Sequence, residues 1–322
     1  MTPDLHETIS PDVIREAHQR ISPYIHRTPV MTSQAIDRMA GAEVFFKCEN
    51  FQKIGAFKAR GAANAVLQLT DEECSRGVAT HSSGNHAQAI AYAAGLRGAR
   101  AYIVMPENAP AVKRKAVEGY GAEVIPCTPT LQAREDTVQE VIDRTGAIFI
   151  HPFNNDHVIA GQATCALELL DQAEGLDRMM TPVGGGGLLG GTALTAHYFG
   201  KNCKVTAGEP AGADDAYRSF EAGRLIPMEG PDTIADGLLT SLGDKTFPII
   251  HQYVEEIITV DDDEIIQAMR IIYERLKIVI EPSCAVPLAA LLQQKDKYKG
   301  QKIGIILTGG NVDLDRLPFS KA

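Results

Sequence analysis

Strand-length apolar segments alternate with helix-length patterns along nearly the whole chain, and this constrains the fold more than any other feature. "AEVFFKC" leads into a segment that reads as a helix opening at Lys58. "GVATHSS" precedes a helix from about Asn85 to Gly95, "ARAYIVM" precedes "APAVKRKAVEGYG", and "AEVIPC" precedes a helix around 132–144. After "GAIFIHPF" the pattern resumes with the helical "VIAGQATCALELLDQ", the strand-like "DRMMTP", a glycine run with another helix, and "CKVTAGEP". "EEIITV" is followed by Asp261 and Glu264 at capping-box spacing, and "QKIGIILTGG" supplies a late strand. This alternation predicts an α/β fold with mostly parallel strands, because parallel strands need helical crossovers. A handover between lobes is expected near residue 150, at "HPFNNDH".

With 322 residues, 44% of them hydrophobic, the chain can bury a large core as two domains or one large α/β unit. A net charge of −10 and the lack of any Lys/Arg run argue against nucleic-acid binding. Charge or glycine interrupts every apolar stretch before it could span a bilayer, so no membrane association is expected. The polar, acidic N-terminus lacks the regions of a signal peptide. Cys48, Cys74, Cys127, Cys165, Cys203 and Cys284 include no CxxC pair. They indicate neither a zinc site nor a disulfide framework, and a reduced cytoplasm fits.

"PVGGGGLLGG" (182–191) joins a strand to a helix. Consecutive glycines let several backbone N–H groups converge on an anion at the helix N-terminus. Gly185, Gly187 and Gly190 also satisfy GxGxxG, and Glu209 follows the next strand about where a ribose-binding acid belongs. A phosphate cradle and a nicotinamide site therefore both stand on this loop alone.

Ser82, Ser83, Gly84 and Asn85 form a second strand-to-helix turn whose hydroxyls, amide and free N–H groups suit a carboxylate. Thr308, in "TGGN", ends the last strand where open α/β sheets place ligands. Glu209 and Asp215 bracket a turn with carbonyls between them, a set of hard oxygens suited to Mg²⁺, Mn²⁺ or Ca²⁺, or simply helix-capping acids. Lys58 lies at a helix N-terminus among small residues. Dipole and burial there both favour the neutral amine that Schiff-base chemistry needs, while an exposed first-turn lysine is the plain alternative.

Together, "AFKARGAANAV", "HSSGNHAQA", "PVGGGGLLGG", "GEPAGADD", "TIADG" and "LTGGN" resemble the fold-type II pyridoxal-phosphate enzymes of the serine/threonine dehydratase and serine racemase group, in order and over nearly the whole chain. The resemblance displaces the nicotinamide reading, which leaves Lys58, the Ser82–His86 turn and Thr308 unexplained. It implies a tryptophan synthase β-like fold of two open, mostly parallel twisted sheets flanked by helices. The active site would lie between a large domain (1–69 and 151–322) and a small one (70–150). It implies pyridoxal 5′-phosphate bound to Lys58, which also serves as base, with Phe57 against the ring and Asn85 on its 3′-oxygen. Gly184, Gly185, Gly186, Gly187 and Leu188 would hold the phosphate, and Thr308 would face the ring nitrogen. Ser83 would be an acid/base on the opposite face, and Ser82, Ser83, Asn85 and His86 would cradle the substrate carboxylate. Glu209, the Ala213 carbonyl and Asp215 would bind Mg²⁺ or Mn²⁺, and a cytoplasmic homodimer is implied.

The implied reaction is dehydration and deamination of a 3-hydroxy amino acid. "GAFK", "SSGNHAQAIA" and "MPENAPAVK" resemble the 3-hydroxyaspartate ammonia-lyase subgroup most, which forms oxaloacetate through iminosuccinate. Ala56 stands where many serine/threonine dehydratases have serine. Arg134 matches an arginine of racemases and hydroxyaspartate dehydratases and could clamp a second carboxylate, with Thr240 beside it; pairing with Glu135 or Asp136 is the plain alternative. Serine/threonine dehydratase, serine racemase and a hydroxyectoine-pathway dehydratase remain alternatives.

Overall fold

The structure, a computed structural model, describes residues 8–82, 84–109 and 111–319. The chain begins with α1 (Pro11–Ile21), β1 (Val30–Thr32), α2 (Gln34–Ala40), β2 (Glu43–Cys48), α3 (Lys58–Leu67) and α4 (Asp71–Arg76). A regular alternation follows: β3 (Val78–His81), α5 (Asn85–Leu96), β4 (Ala101–Pro106), α6 (Ala111–Gly119), β5 (Glu123–Cys127), α7 (Leu131–Thr145), β6 (Ile148–Phe149) and α8 (Asp156–Gln172). Next come β7 (Arg178–Pro182), α9 (Gly187–Phe199), β8 (Lys204–Pro210), α10 (Asp215–Ala222) and α11 (Thr246–Tyr253). The chain closes with β9 (Glu256–Val260), α12 (Asp262–Leu276), α13 (Pro282–Gln293) and β10 (Lys302–Leu307).

Two sheets result. One has the order β1-β2-β10-β7-β8-β9 and the other β5-β4-β3-β6. Every pairing is parallel except β1 with β2, an antiparallel edge. The alternation in the sequence thus becomes the expected α/β architecture. The smaller sheet is built wholly from residues between 78 and 149, and the chain returns to the larger sheet through α8.

Local chemistry sets the helix starts. Ser10 accepts from the Val13 amide and Pro11 opens α1, where its missing N–H costs nothing. Thr70 with Glu73, and Asp261 with Glu264, form complete capping boxes ahead of α4 and α12. The larger sheet is covered by α12 and α13 on one face and by α8, α9 and α11 on the other. Phe46, Ile305 and Leu288 are fully buried there. Each such side chain contributes about 1.5–3 kcal/mol of transfer free energy.

α3 and α8 cross in close contact. A Cβ built on Gly161 would sit 2.6 Å from the Gly61 Cα and 2.7 Å from the Arg60 carbonyl. Only glycines permit this approach, and it brings the first turn of α3 hard against α8. No helix among the described residues is long and apolar enough to cross a membrane. All six cysteines are free and buried.

Candidate active site

The carboxyl ends of the parallel strands bring the expected residues together. Thr308 follows β10, Gly184–Gly186 follow β7, Ser82 and Asn85 flank the β3–α5 turn, and Glu209 lies near the end of β8. Open α/β sheets bind ligands at this edge. Ser83 lies outside the described residues.

Lys58 is the first residue of α3, as expected, and its Nζ donates to the Pro152 carbonyl at 2.8 Å. It is half-buried, and desolvation pushes its pKa down to about 8 against an opposing pull from Glu281. Phe57 precedes it, with the amine 5.2 Å from the ring centroid, and the Phe57 amide donates to the Thr308 carbonyl at 3.0 Å. The Thr308 Oγ1 is buried with no hydrogen-bond partner of normal geometry; the weakly polar Cys284 thiol is its neighbour.

The glycine loop has two physical reasons to be glycine. A Cβ on Gly185 would strike the Phe153 ring at 2.2 Å, and one on Gly186 would meet Ile250, Thr246 and Leu242 within 2.9 Å. Gly186 also has φ +86°, a conformation that disfavours side chains. Close packing therefore explains the missing side chains. It leaves the second property intact: no side chain caps α9, so the N–H groups of its first turn, from Gly187 and Leu188, are unpaired within the helix. Gly184 faces Leu238 and Thr240, whose Oγ1 would lie 3.4 Å from an added Cβ, so Thr240 belongs to the rim of this loop.

Asn85 opens α5 and is held at both ends of its amide. Nδ2 donates to the two Glu281 oxygens at 3.0 and 3.1 Å, and Oδ1 accepts from Asn311 at 2.8 Å. His86 is buried, and its Nε2 lies 3.2 Å from the Ile150 carbonyl. That contact assigns the proton to Nε2 and leaves Nδ1 an unpaired acceptor. Desolvation, then the Lys58 charge, holds this imidazole neutral, well below its ordinary pKa. Its side chain has no proton to offer a carboxylate, so any such contact falls to its backbone. The Ser82 hydroxyl accepts from the Gly84 amide at 3.3 Å and can still donate.

Arg134, on α7, is half-buried, and its Nε is buried without a partner. Among the described residues it makes no ion pair with Glu135 or Asp136; Asp136 instead accepts from Gln132. Its charge reaches His81, whose ring stacks on Phe149 and meets His151 edge-on. His151 is pushed down to about 4 by burial, then by His81 and Lys58. A file of imidazoles thus runs from Arg134 toward Lys58.

Glu209 accepts from the Ala216 and Tyr217 amides at 2.8 and 2.7 Å. Asp215 accepts from the Leu242 amide at 3.2 Å, while its Oδ1 is buried without a partner. Burial raises both, Glu209 to about 9 and Asp215 to about 6. Ala213 lies buried in the turn between them.

A family profile described as "Pyridoxal-phosphate dependent enzyme" matches residues 21–309. A serine racemase of Dictyostelium discoideum is 53% identical over 315 residues, covering 96% of this chain and 97% of that one. A beta-hydroxyaspartate dehydratase of Paracoccus denitrificans is 51% identical over 304 residues, covering 94% and 96%. The chain belongs to the fold-type II pyridoxal-phosphate enzymes. The crystal structure of the Dictyostelium racemase superposes with a TM-score of 0.92, covering 95% of this chain and all of that one.

The residues present fit the cofactor of a pyridoxal-phosphate enzyme. Free N–H groups at α9 suit its phosphate, a desolvated amine suits its aldehyde, and an orphaned buried hydroxyl suits its ring nitrogen. Sequence reasoning missed Glu281, His81, His151 and the Pro152 carbonyl. For Glu281 a signal existed, since it is the lone charge in "IVIEPSCAVPLAALL". The Pro152 carbonyl had none, because backbone groups carry no letter of their own.

Proposed function

We propose that this pyridoxal-phosphate enzyme eliminates water from a 3-hydroxy amino acid carrying a second carboxylate, 3-hydroxyaspartate, releasing oxaloacetate (through iminosuccinate) and ammonium. The observation that carries the substrate is Arg134, which is half-buried with its Nε unpartnered and, among the described residues, makes no ion pair with a carboxylate, while its charge reaches His81. A guanidinium left unmatched in this way is complementary to a ligand carboxylate. The relationship to the Paracoccus dehydratase supports the same reading.

Bound pyridoxal phosphate supplies an electron-withdrawing ring that acidifies the substrate Cα–H. The protein's part is positional and acid–base. Lys58 would hold the cofactor and serve as the base for the substrate Cα proton; its lowered pKa leaves a usable fraction of free amine near neutrality. Phe57 lines the ring, Asn85 hydrogen-bonds the 3′-oxygen, and Glu281 and Asn311 fix the amide of Asn85. The Gly184–Leu188 backbone would hold the phosphate, and Thr308, a hydroxyl rather than a carboxylate, would face the ring nitrogen without supplying it a proton. Ser82, Asn85 and the His86 backbone receive the α-carboxylate with Ser83, which serves as acid/base on the far face. Arg134 and Thr240 receive the β-carboxylate. The β-hydroxyl leaves as water, and hydrolysis after release completes deamination. Glu209, the Ala213 carbonyl and Asp215 bind Mg²⁺ or Mn²⁺; two desolvated carboxylates fit that charge. A cytoplasmic homodimer completes the proposal.

Serine racemisation is the second reading, favoured by the 53% identity to the Dictyostelium enzyme. The test compares kcat/KM for 3-hydroxyaspartate stereoisomers, serine and threonine, with a chiral assay for D-serine, in the wild type and Arg134→Ala. Arg134→Ala is expected to lose roughly 100-fold on the diacid, as for loss of one partner of a desolvated charge pair, and about threefold or less on serine. An equal loss on both substrates, or serine preferred by the wild type, overturns the diacid reading.

A further inference from the structure

Behind α3, on the side away from Lys58, lies a buried group of four charges from four segments. Arg60 is two residues after Lys58, so on a helix the two side chains point to roughly opposite faces. Lys58 reaches the Pro152 carbonyl, while Arg60 is fully buried in the core. Its Nε donates to Glu49 Oε2 at 2.7 Å and its Nη2 to Glu49 Oε1 at 2.9 Å. Nη2 also donates to Glu168 Oε2 at 2.8 Å, and Nη1 to Glu168 Oε1 at 2.9 Å and Thr164 Oγ1 at 3.2 Å. Every guanidinium nitrogen is therefore engaged. Lys47, equally buried, donates to Glu168 Oε2 at 2.6 Å, Gln172 Oε1 at 2.7 Å and the Thr28 carbonyl at 2.8 Å. Thr28 caps Glu49, and His18 approaches Glu168 Oε1 at 3.4 Å from the surface.

Two cations and two carboxylates cancel, and burial's upward push on Glu49 is outweighed by the Arg60 charge and hydrogen bonds. The same group holds Glu168 well below the carboxylate range, through His18 and Arg60. Desolvating four charges is an expensive way to hold a fold, because well-packed apolar residues often do as well. What apolar packing lacks is direction. A forked guanidinium accepts only one placement relative to two fixed carboxylates.

That placement is relative to α8 and β2. Gly161, Thr164 and Glu168 recur at helical spacing along one side of α8, so α3 meets it at the glycine crossing and again at the guanidinium. Glu49 and Lys47 tie the same point to β2 and the turn after it. The segment before α8 carries Pro152, whose carbonyl receives the Lys58 amine. We propose that Arg60, clamped by Glu49 and Glu168, is a positioning residue that fixes the rotation and axial register of the first turn of α3 and so aims Lys58 at the reacting carbon. Being neutral overall, the group acts through the helix backbone; burial and Glu281 are what set the Lys58 amine.

The inference rests on Lys58 as the cofactor lysine, and the experiment separates the two. Borohydride is added to the holoenzyme and the modified peptide is sequenced. Fixation on a lysine other than Lys58 overturns the Lys58 assignment and the positioning role with it. With Lys58 confirmed, Arg60→Lys holoenzyme keeps one charge but loses the fork. It is assayed below its melting temperature by induced circular dichroism of the cofactor's visible band, cofactor dissociation, and kcat against KM. Expected are altered dichroism per bound cofactor, faster cofactor loss, and a kcat lower by roughly 10- to 100-fold with KM within about twofold, as for a small misplacement of a reacting group. Wild-type dichroism, dissociation and kcat in a variant that merely melts earlier would show a structural role alone and overturn the inference. Should Arg60→Lys not fold, Thr164→Val, which removes one acceptor of Nη1, decides by the same dichroism. A changed signal supports the role and an unchanged one overturns it.

Discussion

Lys58 is an amine held where its charge is costly, and the cost has a sign that can be measured. Its pKa falls from the ordinary lysine value to about 8, so between pH 8 and about 10.4 the unfolded chain binds a proton that the folded one does not. Stability contributed by this group therefore rises with pH across that window, and the penalty is full below pH 8. Lys58→Met in the cofactor-free protein is expected to melt a few degrees above the cofactor-free wild type at pH 7, with the gap closing toward pH 10.4. Thermal melts at several pH values check it, and a gap independent of pH would refute desolvation of the amine. Glu281 is the counterpart. Burial raises it to about 7, and its charge is what pulls the Lys58 amine back upward against desolvation.

At the scale of elements, the site depends on how closely α3, α8 and α9 approach. α8 meets α3 at Gly61 and Gly161, and Gly191 of α9 at the Ala163 amide, where an added Cβ would lie 2.8 Å away. Gly161→Ala places a methyl 2.6 Å from the Gly61 Cα, and backbone cannot step aside as a flexible side chain can. The expected cost is about 1–3 kcal/mol of stability, as for other overpacked cores. Because the displaced helix carries Lys58, slower cofactor capture should accompany it. Urea unfolding combined with cofactor binding rates tests both. Lost stability with unchanged capture would show that α3 moves without its first turn.

For the whole molecule, the carboxylate pair at Glu209 and Asp215 connects to the glycine loop before α9 through packing. Asp215 accepts from the Leu242 amide, and Leu242, Thr246 and Ile250 press against Gly186. Thr246 also donates to the Gly185 carbonyl at 2.9 Å. A divalent cation satisfying the orphaned Asp215 oxygen would brace this wall. Chelation is expected to lower the melting temperature of the holoenzyme by roughly 3–8 °C, with recovery on adding Mg²⁺ or Mn²⁺. A melt insensitive to chelator and cation would remove the metal from the proposal.

The strand–helix alternation and the capping boxes at Thr70 and Asp261 were legible because periodicity and capping act over a few neighbouring residues. The same holds for Lys58 at a helix start and for the glycine loop between strand and helix. Phe153, His151 and Glu281 were not legible in this way. Their importance comes from lying against Gly185, Lys58 and Asn85, residues tens to hundreds of positions away, which contact depends on sheet order. The sequence by itself determined which segments form strands and helices and which groups could carry chemistry. Tertiary structure decided which of those groups are desolvated, which are satisfied and which are left unpaired, because burial and partnership are properties of distant segments packed together.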